Sequence, residues 1–186
     1  MLDPRNICIV AVEKTQPGKV VGYIQLQRLG NDAYAKALIA KRWVWVLWAL
    51  SLLFAVWCKV FWWWEGGDKS ASKKNEKLFR QWAMKDSRDF WQGREERWYV
   101  QSCVVGDEWQ GLGIGKRLIG EVLVWAEKEG VVVALEASEE GEWLYRSVGF
   151  ELLGRFRMDK EYEKVLGEGG GIMMWSPTGK GEKKRL

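Results

Sequence analysis

"EWQGLGIGKRL", residues 108–118, sets Gly111, Gly113 and Gly115 at every second position and follows them at once with Lys116 and Arg117. Before it, Tyr99–Val105 (YVQSCVV) has the β-branched content of a strand. After it, Ile114, Leu118, Ile119, Val122, Leu123 and Ala126 recur at helical spacing. The stretch therefore reads as a strand-to-helix turn stripped of side chains. A helix N-terminus carries unpaired amides and the positive end of the dipole, and glycines let an anion approach them closely. Two readings stand side by side: an anion cradle, or a tight turn that holds nothing. One glycine serves a plain turn, and three favour the cradle.

Spacing excludes two commoner phosphate motifs. A P-loop wants glycine where Gln110 stands and a hydroxyl residue where Arg117 stands. The dinucleotide pattern G-x-G-x-x-G fails because its third glycine arrives one residue early.

Working outward, Val131–Leu135 is a continuous apolar run, as in a strand buried on both faces. Glu139–Val148 reads as a short helix closed by Gly149, and Phe150–Met158 and Gly171–Trp175 as two further strands. Upstream, Ile7–Val12 and Val20–Gln27 flank Gln16-Pro17-Gly18 and read as a β-hairpin. Residues 31–97 differ in kind. Ala33–Ala40 favours helix, Trp43–Trp64 is apolar except for Ser51 and Lys59, Glu65–Lys74 is a polar loop, and Asn75–Phe90 has an amphipathic pattern. The chain divides into a hairpin (1–30), a tryptophan-rich helical insertion (31–97), a strand–helix core (98–175) and a basic tail (176–186).

Composition narrows the chemistry. The 186 residues include no histidine, which removes Ser-His-Asp and Cys-His catalysis. Cys8, Cys58 and Cys103 are too far apart for a disulfide framework or a metal knuckle, so no metal is expected. Net charge is only +4, with basic and acidic residues interspersed, which speaks against a nucleic-acid partner. The N-terminus lacks the pattern of a secretory signal, and the free cysteines suit a reduced intracellular, cytoplasmic location.

Two segments in order carry a family resemblance. Gln110-Gly-Leu-Gly113-Ile-Gly115 is similar to the Q/R-x-x-G-x-G/A signature of the GNAT superfamily of acetyl-CoA-dependent N-acetyltransferases. Leu144-Tyr145-Arg-Ser-Val-Gly149-Phe150 resembles that superfamily's LY-x-x-x-GF segment. With Leu135-Glu-Ala-Ser138, the stretch is most similar to fungal members.

The resemblance implies an α/β fold, a mixed central sheet flanked by helices. It implies transfer of an acetyl group from acetyl-CoA to a primary amine by direct attack. In such proteins the CoA diphosphate sits on the glycine turn, here Gln110, Gly111, Leu112, Gly113, Ile114, Gly115 and Lys116. The pantetheine arm pairs with the preceding strand, here Cys103, Val104 and Val105, which splays from its neighbour. The Val105 amide would polarise the carbonyl. Ser138 stands where many members touch CoA through asparagine. Tyr145 takes the place of the acid that protonates the departing thiolate. On its residue pattern alone, without the resemblance, Tyr145 reads as a core aromatic with its hydroxyl at the rim. Glu136 reads as a base acting through water or as a solvated strand end.

Family members begin with a strand and helices that shape the acceptor pocket, whereas here the hairpin starts within ten residues of Met1. The chain thus reads as lacking that region. The rival reading is a non-catalytic protein of the same fold acting in membrane association or assembly. Three roles stand open for Trp43–Trp64: packing on the domain's own sheet, a homodimer contact, or a membrane interface. Topology disfavours a spanning helix, because it would separate strands expected to be neighbours.

Overall fold

The computed structural model describes residues 3–40, 44–64, 77–78, 81, 89–156 and 170–178. Most of the amphipathic stretch 75–90 and of the loop Gly167–Gly171 lies outside them.

Six strands form one sheet: β1 (Asn6–Val12), β2 (Val20–Leu29), β3 (Arg97–Val105), β4 (Val132–Ala137), β5 (Glu151–Arg155) and β6 (Gly171–Trp175). Their spatial order is β1-β2-β3-β4-β6-β5, antiparallel throughout except for the parallel pair β3–β4. That parallel pair needs a crossover, and α3 (Ile114–Glu129) supplies it. The α3 stripe Leu118, Ile119, Val122 and Ala126 is buried against Ile24, Leu26, Trp98, Val100, Val133 and Leu135. Each large side chain so buried contributes about 1.5–3 kcal/mol. Gly130, in the left-handed region at φ 68°, ends the helix. The other sheet face carries a smaller cluster of Trp91, Ala134, Ile172 and Met174.

Two expected elements are shorter than their sequence suggests. The segment after β4 divides into a 3-10 turn over Glu139–Gly141 and the short helix α4 (Glu142–Arg146). Ser138 caps the 3-10 turn by accepting the Gly141 amide on its side-chain oxygen at 3.2 Å. Of the strand expected over Phe150–Met158, the described residues are regular over β5, and Arg157 and Met158 lie outside the described residues.

β3 contains a bulge. Gln25 pairs with Ser102 and Leu26 with Val100, which leaves Gln101 without an opposite residue. Strand alternation therefore restarts, and Val100 and Cys103 both face the α3 side. The bulge also ends the pairing with β4, which covers only Arg97–Val100 against Val132–Leu135. Beyond it the two parallel strands diverge and leave a wedge.

The insertion leaves and re-enters the sheet at a single point, where Leu29 of β2 pairs with Arg97 of β3. Arg28 is fully buried there and ties four segments together. Its Nε donates to Glu129 at the end of α3 at 2.8 Å, and its Nη1 meets Glu96 at 3.3 Å. Its Nη2 pairs with Asp32, and its guanidinium lies 6.0 Å from the Trp98 ring centroid. Asp32 also caps α1 (Ala33–Ala40) by accepting the Ala35 amide at 2.8 Å. Glu96 accepts the amides of Asn31 at 2.7 Å and Asp32 at 3.3 Å. Gly30 is obligatory between them: its φ is 104°, and a Cβ would stand 1.9 Å from a Glu96 oxygen.

The second insertion helix, α2 (Val44–Trp64), bears on the three roles left open for it, and packing into the core of the sheet is not what its described residues do. None of its described side chains is buried, and Leu52–Trp57 are exposed in an unbroken run. Its apolar residues surround the whole circumference, so no single face selects a core.

Removing Arg28 would leave three carboxylates without their cation. The variant Arg28→Ala is expected to lose about 3–5 kcal/mol, read as a lower urea midpoint. Burial raises the Asp32 pKa, but the Ala35 amide and the Arg28 charge outweigh it and hold the carboxyl below its ordinary 3.8. The stability Asp32 contributes is thus present above pH about 4 and is lost as pH falls below that. In Arg28→Ala, this acid-limb slope is expected to flatten.

Candidate functional site

The turn 106–113 joins β3 to α3 through a 3-10 turn over Asp107–Trp109. Gln110 closes it: its side-chain Nε2 donates to the Val105 carbonyl at 3.2 Å and to Asp107 at 3.0 Å. Gly111 and Gly113 then take φ values of 74° and 76°, which only glycine adopts without strain. Nothing lies within 4 Å of where their Cβ atoms would be. Gly113 is the N-cap of α3 and supplies no side-chain cap. The first intrahelical bond from this end is Arg117 N–H to the Gly113 carbonyl at 3.1 Å. The amides of Ile114, Gly115 and Lys116 precede it and start the helix open. Gly115 is small for a different reason, since a Cβ would sit 3.2 Å from Leu144 on α4.

These amides face a cleft of about 580 Å³. Its walls are Cys103 and Val105 on β3, the turn from Trp109 to Lys116, and Glu140 to Leu144 on the α4 side. The Lys116 ammonium lies 5.9 Å from the Trp143 ring centroid, so a cation and an indole meet where both line the cleft. The Gly106 amide bonds back to the Val21 carbonyl on β2 at 3.0 Å. Antiparallel alternation then turns the amides of Cys103 and Val105 the opposite way, into the wedge, and that of Val104 toward β2.

Tyr145 stands behind the cleft wall. It is buried, packs edge-on against Phe150 at 5.6 Å between centroids, and meets the Cys103 thiol through its hydroxyl. Burial first, and the neighbouring thiol second, push the Tyr145 hydroxyl well above its ordinary value of 10.0. Burial likewise pushes the Cys103 thiol up. Both groups stay protonated across the neutral range.

Glu136 belongs to the other face. It is the first β4 residue beyond the last β3 pair, and its neighbours Leu135 and Ala137 point to the α3 core. The Tyr99 hydroxyl bonds its carboxylate; burial first and that carboxylate second raise the phenol to about 12. Ser102 adds a buried hydroxyl with no hydrogen-bond partner among the described residues.

The structure thus gathers Cys103, Val105, Gln110, Gly111, Gly113, Ile114, Gly115 and Lys116 around one cleft, with Tyr145 directly behind it. It does not bring Val104, Leu112 or Ser138 to its walls. Val104 lines a groove with Tyr23 on the opposite face, Leu112 is exposed, and the Ser138 hydroxyl is engaged as a cap. Trp109, Glu140, Gly141, Trp143 and Leu144 also line the cleft, although sequence reasoning assigns them no role there. Trp143 carries a signal, being a tryptophan directly before the Leu144-Tyr145 pair. Ser102 carries none, because its face depends on the bulge.

Residues 60–150 match the family model described as the acetyltransferase (GNAT) family. That match covers just under half of the chain's length. The mixed six-stranded sheet with flanking helices is the GNAT fold. A crystal structure of an agmatine N-acetyltransferase mutant, in its apo form, is 15% identical, with a TM-score of 0.51 over 90% of this chain and 71% of that one. A histone acetyltransferase HPA2-related protein from Corynebacterium glutamicum is 18% identical, with a TM-score of 0.46 over 93% of this chain. This chain spans 65% of that protein's length, less than two thirds. NAA60 from Arabidopsis thaliana, solved with a bisubstrate analogue, is 15% identical, with a TM-score of 0.47 over 94% of this chain and 77% of that one. Among curated proteins, none matches the sequence.

The two raised phenols in this GNAT sheet set an alkaline signature. Near-ultraviolet titration is expected to show a late step at about pH 12, lost in Tyr99→Phe. A later step still is expected to vanish in Tyr145→Phe. A group whose folded pKa is raised stabilises fully below its unfolded value and less as pH climbs beyond it, so folding stability is expected to fall above pH about 10.

Proposed function

We propose that the chain is an N-acetyltransferase that moves an acetyl group from acetyl-CoA to a primary amine, without a covalent enzyme intermediate. The observation that carries this reading is the continuity of one cleft. Open amides at the head of α3 lie at one end, and unpaired strand amides with a buried phenol behind them lie at the other.

The residues fit the donor. The amides of Ile114, Gly115 and Lys116 would receive the diphosphate, since the missing Cβ atoms of Gly111 and Gly113 leave room for phosphate oxygens. Lys116 would add charge, and the Trp143 ring a surface for the base. Cys103 and Val105 would pair with the pantetheine amides as an added strand would. At the divergence of β3 and β4, the Val105 amide would donate to the thioester carbonyl and stabilise the oxyanion that forms there.

Proton handling follows from the two faces. Glu136 would take a proton from the incoming amine, directly or through a water, on the Tyr99 side of the sheet. The neutral amine then attacks the carbonyl carbon to form the C–N bond, the nitrogen gives up its surplus proton to water, and the C–S bond breaks toward the α3 side. Tyr145 would protonate the departing thiolate; its raised pKa keeps the proton in place until a stronger base appears. Cys103 is a poor rival nucleophile, since burial holds it as a thiol. Positioning two reactants in the wedge supplies much of the rate.

Calorimetry of the folded chain with CoA tests donor binding, and absence of binding at millimolar ligand defeats the proposal. Gly113→Ala adds a Cβ at a positive φ in the cleft, and is expected to weaken CoA binding at least tenfold. Tyr145→Phe is expected to lower kcat by about 10²-fold in a thiol-release assay with primary amines, with CoA affinity unchanged. Wild-type activity is expected to show no falling limb attributable to this phenol below pH about 10.

A further inference from the structure

We infer that α2 is a membrane-docking element that sinks the insertion into the surface of an anionic phospholipid bilayer. This stands independently of the acetyl-transfer reading. The helix has 21 residues and runs about 31 Å. Trp45, Trp48, Leu53 and Trp64 are 70%, 68%, 65% and 81% exposed. From Leu52 to Trp57 every residue is exposed, which is more than one full turn. A protein partner seated on one side would leave the other sides in water. A fluid phase reaches all of them, and a helix about 10 Å across disappears into the 5–10 Å boundary between headgroups and acyl chains.

Composition selects the same depth. Seven of the chain's 14 tryptophans fall within residues 43–64, and tryptophan is the side chain most at home at that boundary. No single helix among the described residues is long and apolar enough to cross a membrane; only the pair Ala33–Ala40 and Trp45–Phe61 together reaches that length and composition, and it is bent by 74°. Both ends of the insertion are moreover fixed to one sheet by the Leu29–Arg97 pair. The helix therefore lies in one leaflet.

Charge selects the lipid. Between Asp32 and Glu65 there is no acidic residue, while Lys36, Lys41, Arg42 and Lys59 contribute +4. That equals the formal net charge of the whole chain, and the residues outside 33–64, the basic tail included, sum to zero. Lys36 and Lys59 are exposed. The Lys59 stem is long enough to carry its ammonium from an apolar helix to the headgroups. Cations so placed meet phosphate and serine carboxylate groups.

Flotation of the full chain with phosphatidylcholine vesicles containing about one third phosphatidylserine tests the inference. The expected result is binding, a blue shift of tryptophan emission, and quenching by brominated acyl chains. Replacing all four cations (Lys36→Gln, Lys41→Gln, Arg42→Gln, Lys59→Gln) is expected to lower partitioning more than about a hundredfold, since each cation is worth about fivefold. Leu53→Glu with Trp57→Glu alters only exposed positions, so circular dichroism should not change while binding falls at least tenfold. A monomer that ignores both vesicle types overturns the inference. So does a dimer that dissociates in the Leu53→Glu, Trp57→Glu variant without ever binding vesicles, which would make a second copy the occupant. Equal binding to pure phosphatidylcholine overturns the charge argument.

Discussion

The buried guanidinium of Arg28 is the constraint on which the architecture rests. An excursion of the length of residues 30–96, placed between two strands that must pair, threatens the sheet with a costly loop closure. The chain meets this by fixing the two roots of the excursion to each other. Asp32 comes from its first turn, Glu96 from its last, and Glu129 from the helix that crosses over the sheet. A buried cation with three carboxylates is expensive to desolvate, and its geometry tolerates few alternatives. It therefore fixes register as much as it adds stability. With Leu29 held opposite Arg97, the rest of β3 is placed, and with it the bulge, the wedge and the glycine turn.

The bulge at Gln101 converts that register into a site. Without it, Cys103 and Val105 would face away from α3, and the amides reaching the β4 side would belong to other residues. With it, the neutral thiol, the buried phenol and the strand amides converge on one cleft, while Glu136, Tyr99 and Ser102 gather on the other face. Glu136 and Tyr145 lie on opposite faces of the sheet, each beside a different partner. Glu136 spends its charge on the Tyr99 hydroxyl, while Tyr145 has only an uncharged thiol beside it.

Most of the sheet was legible because local chemistry and global fold agree there. The hairpin turn, the apolar run of β4, the α3 stripe and the left-handed glycine at its end each have one reading at short range. The glycine turn was legible as a shape, since three absent side chains at alternate positions demand a structural reason. Other features depend on distant partners and leave no local mark. The bulge is invisible in YVQSCVV, because it is set by the partner strand's spacing. Ser138 looks like a site residue until the Gly141 amide claims its oxygen. Arg28 looks like an ordinary cation in an alternating strand, and only Glu96 and Glu129, far along the chain, reveal why it is buried. The placement of α2 was illegible for the opposite reason. A helix apolar on every side contains no directional information, so its pattern states that it avoids water and leaves open what replaces the water.

The two ends of β3 divide the labour. Its first residue, Arg97, sits at the root of the insertion, and its last, Val105, sits at the mouth of the cleft. The strand of nine residues has eight steps of about 3.3 Å, which separate them by about 26 Å. Whatever α2 engages is thus attached at the end of the strand away from the glycine turn, and its occupation need not obstruct the open amides of α3. The Arg28 clamp lies at the root of the insertion, where it ties Asp32, Glu96 and Glu129 together. A flexible root would let forces on the insertion reach the β2–β3 register and, through the bulge, the wedge. The fold can carry so large and so apolar an excursion because the closure of its base is the most strongly specified point in the sheet.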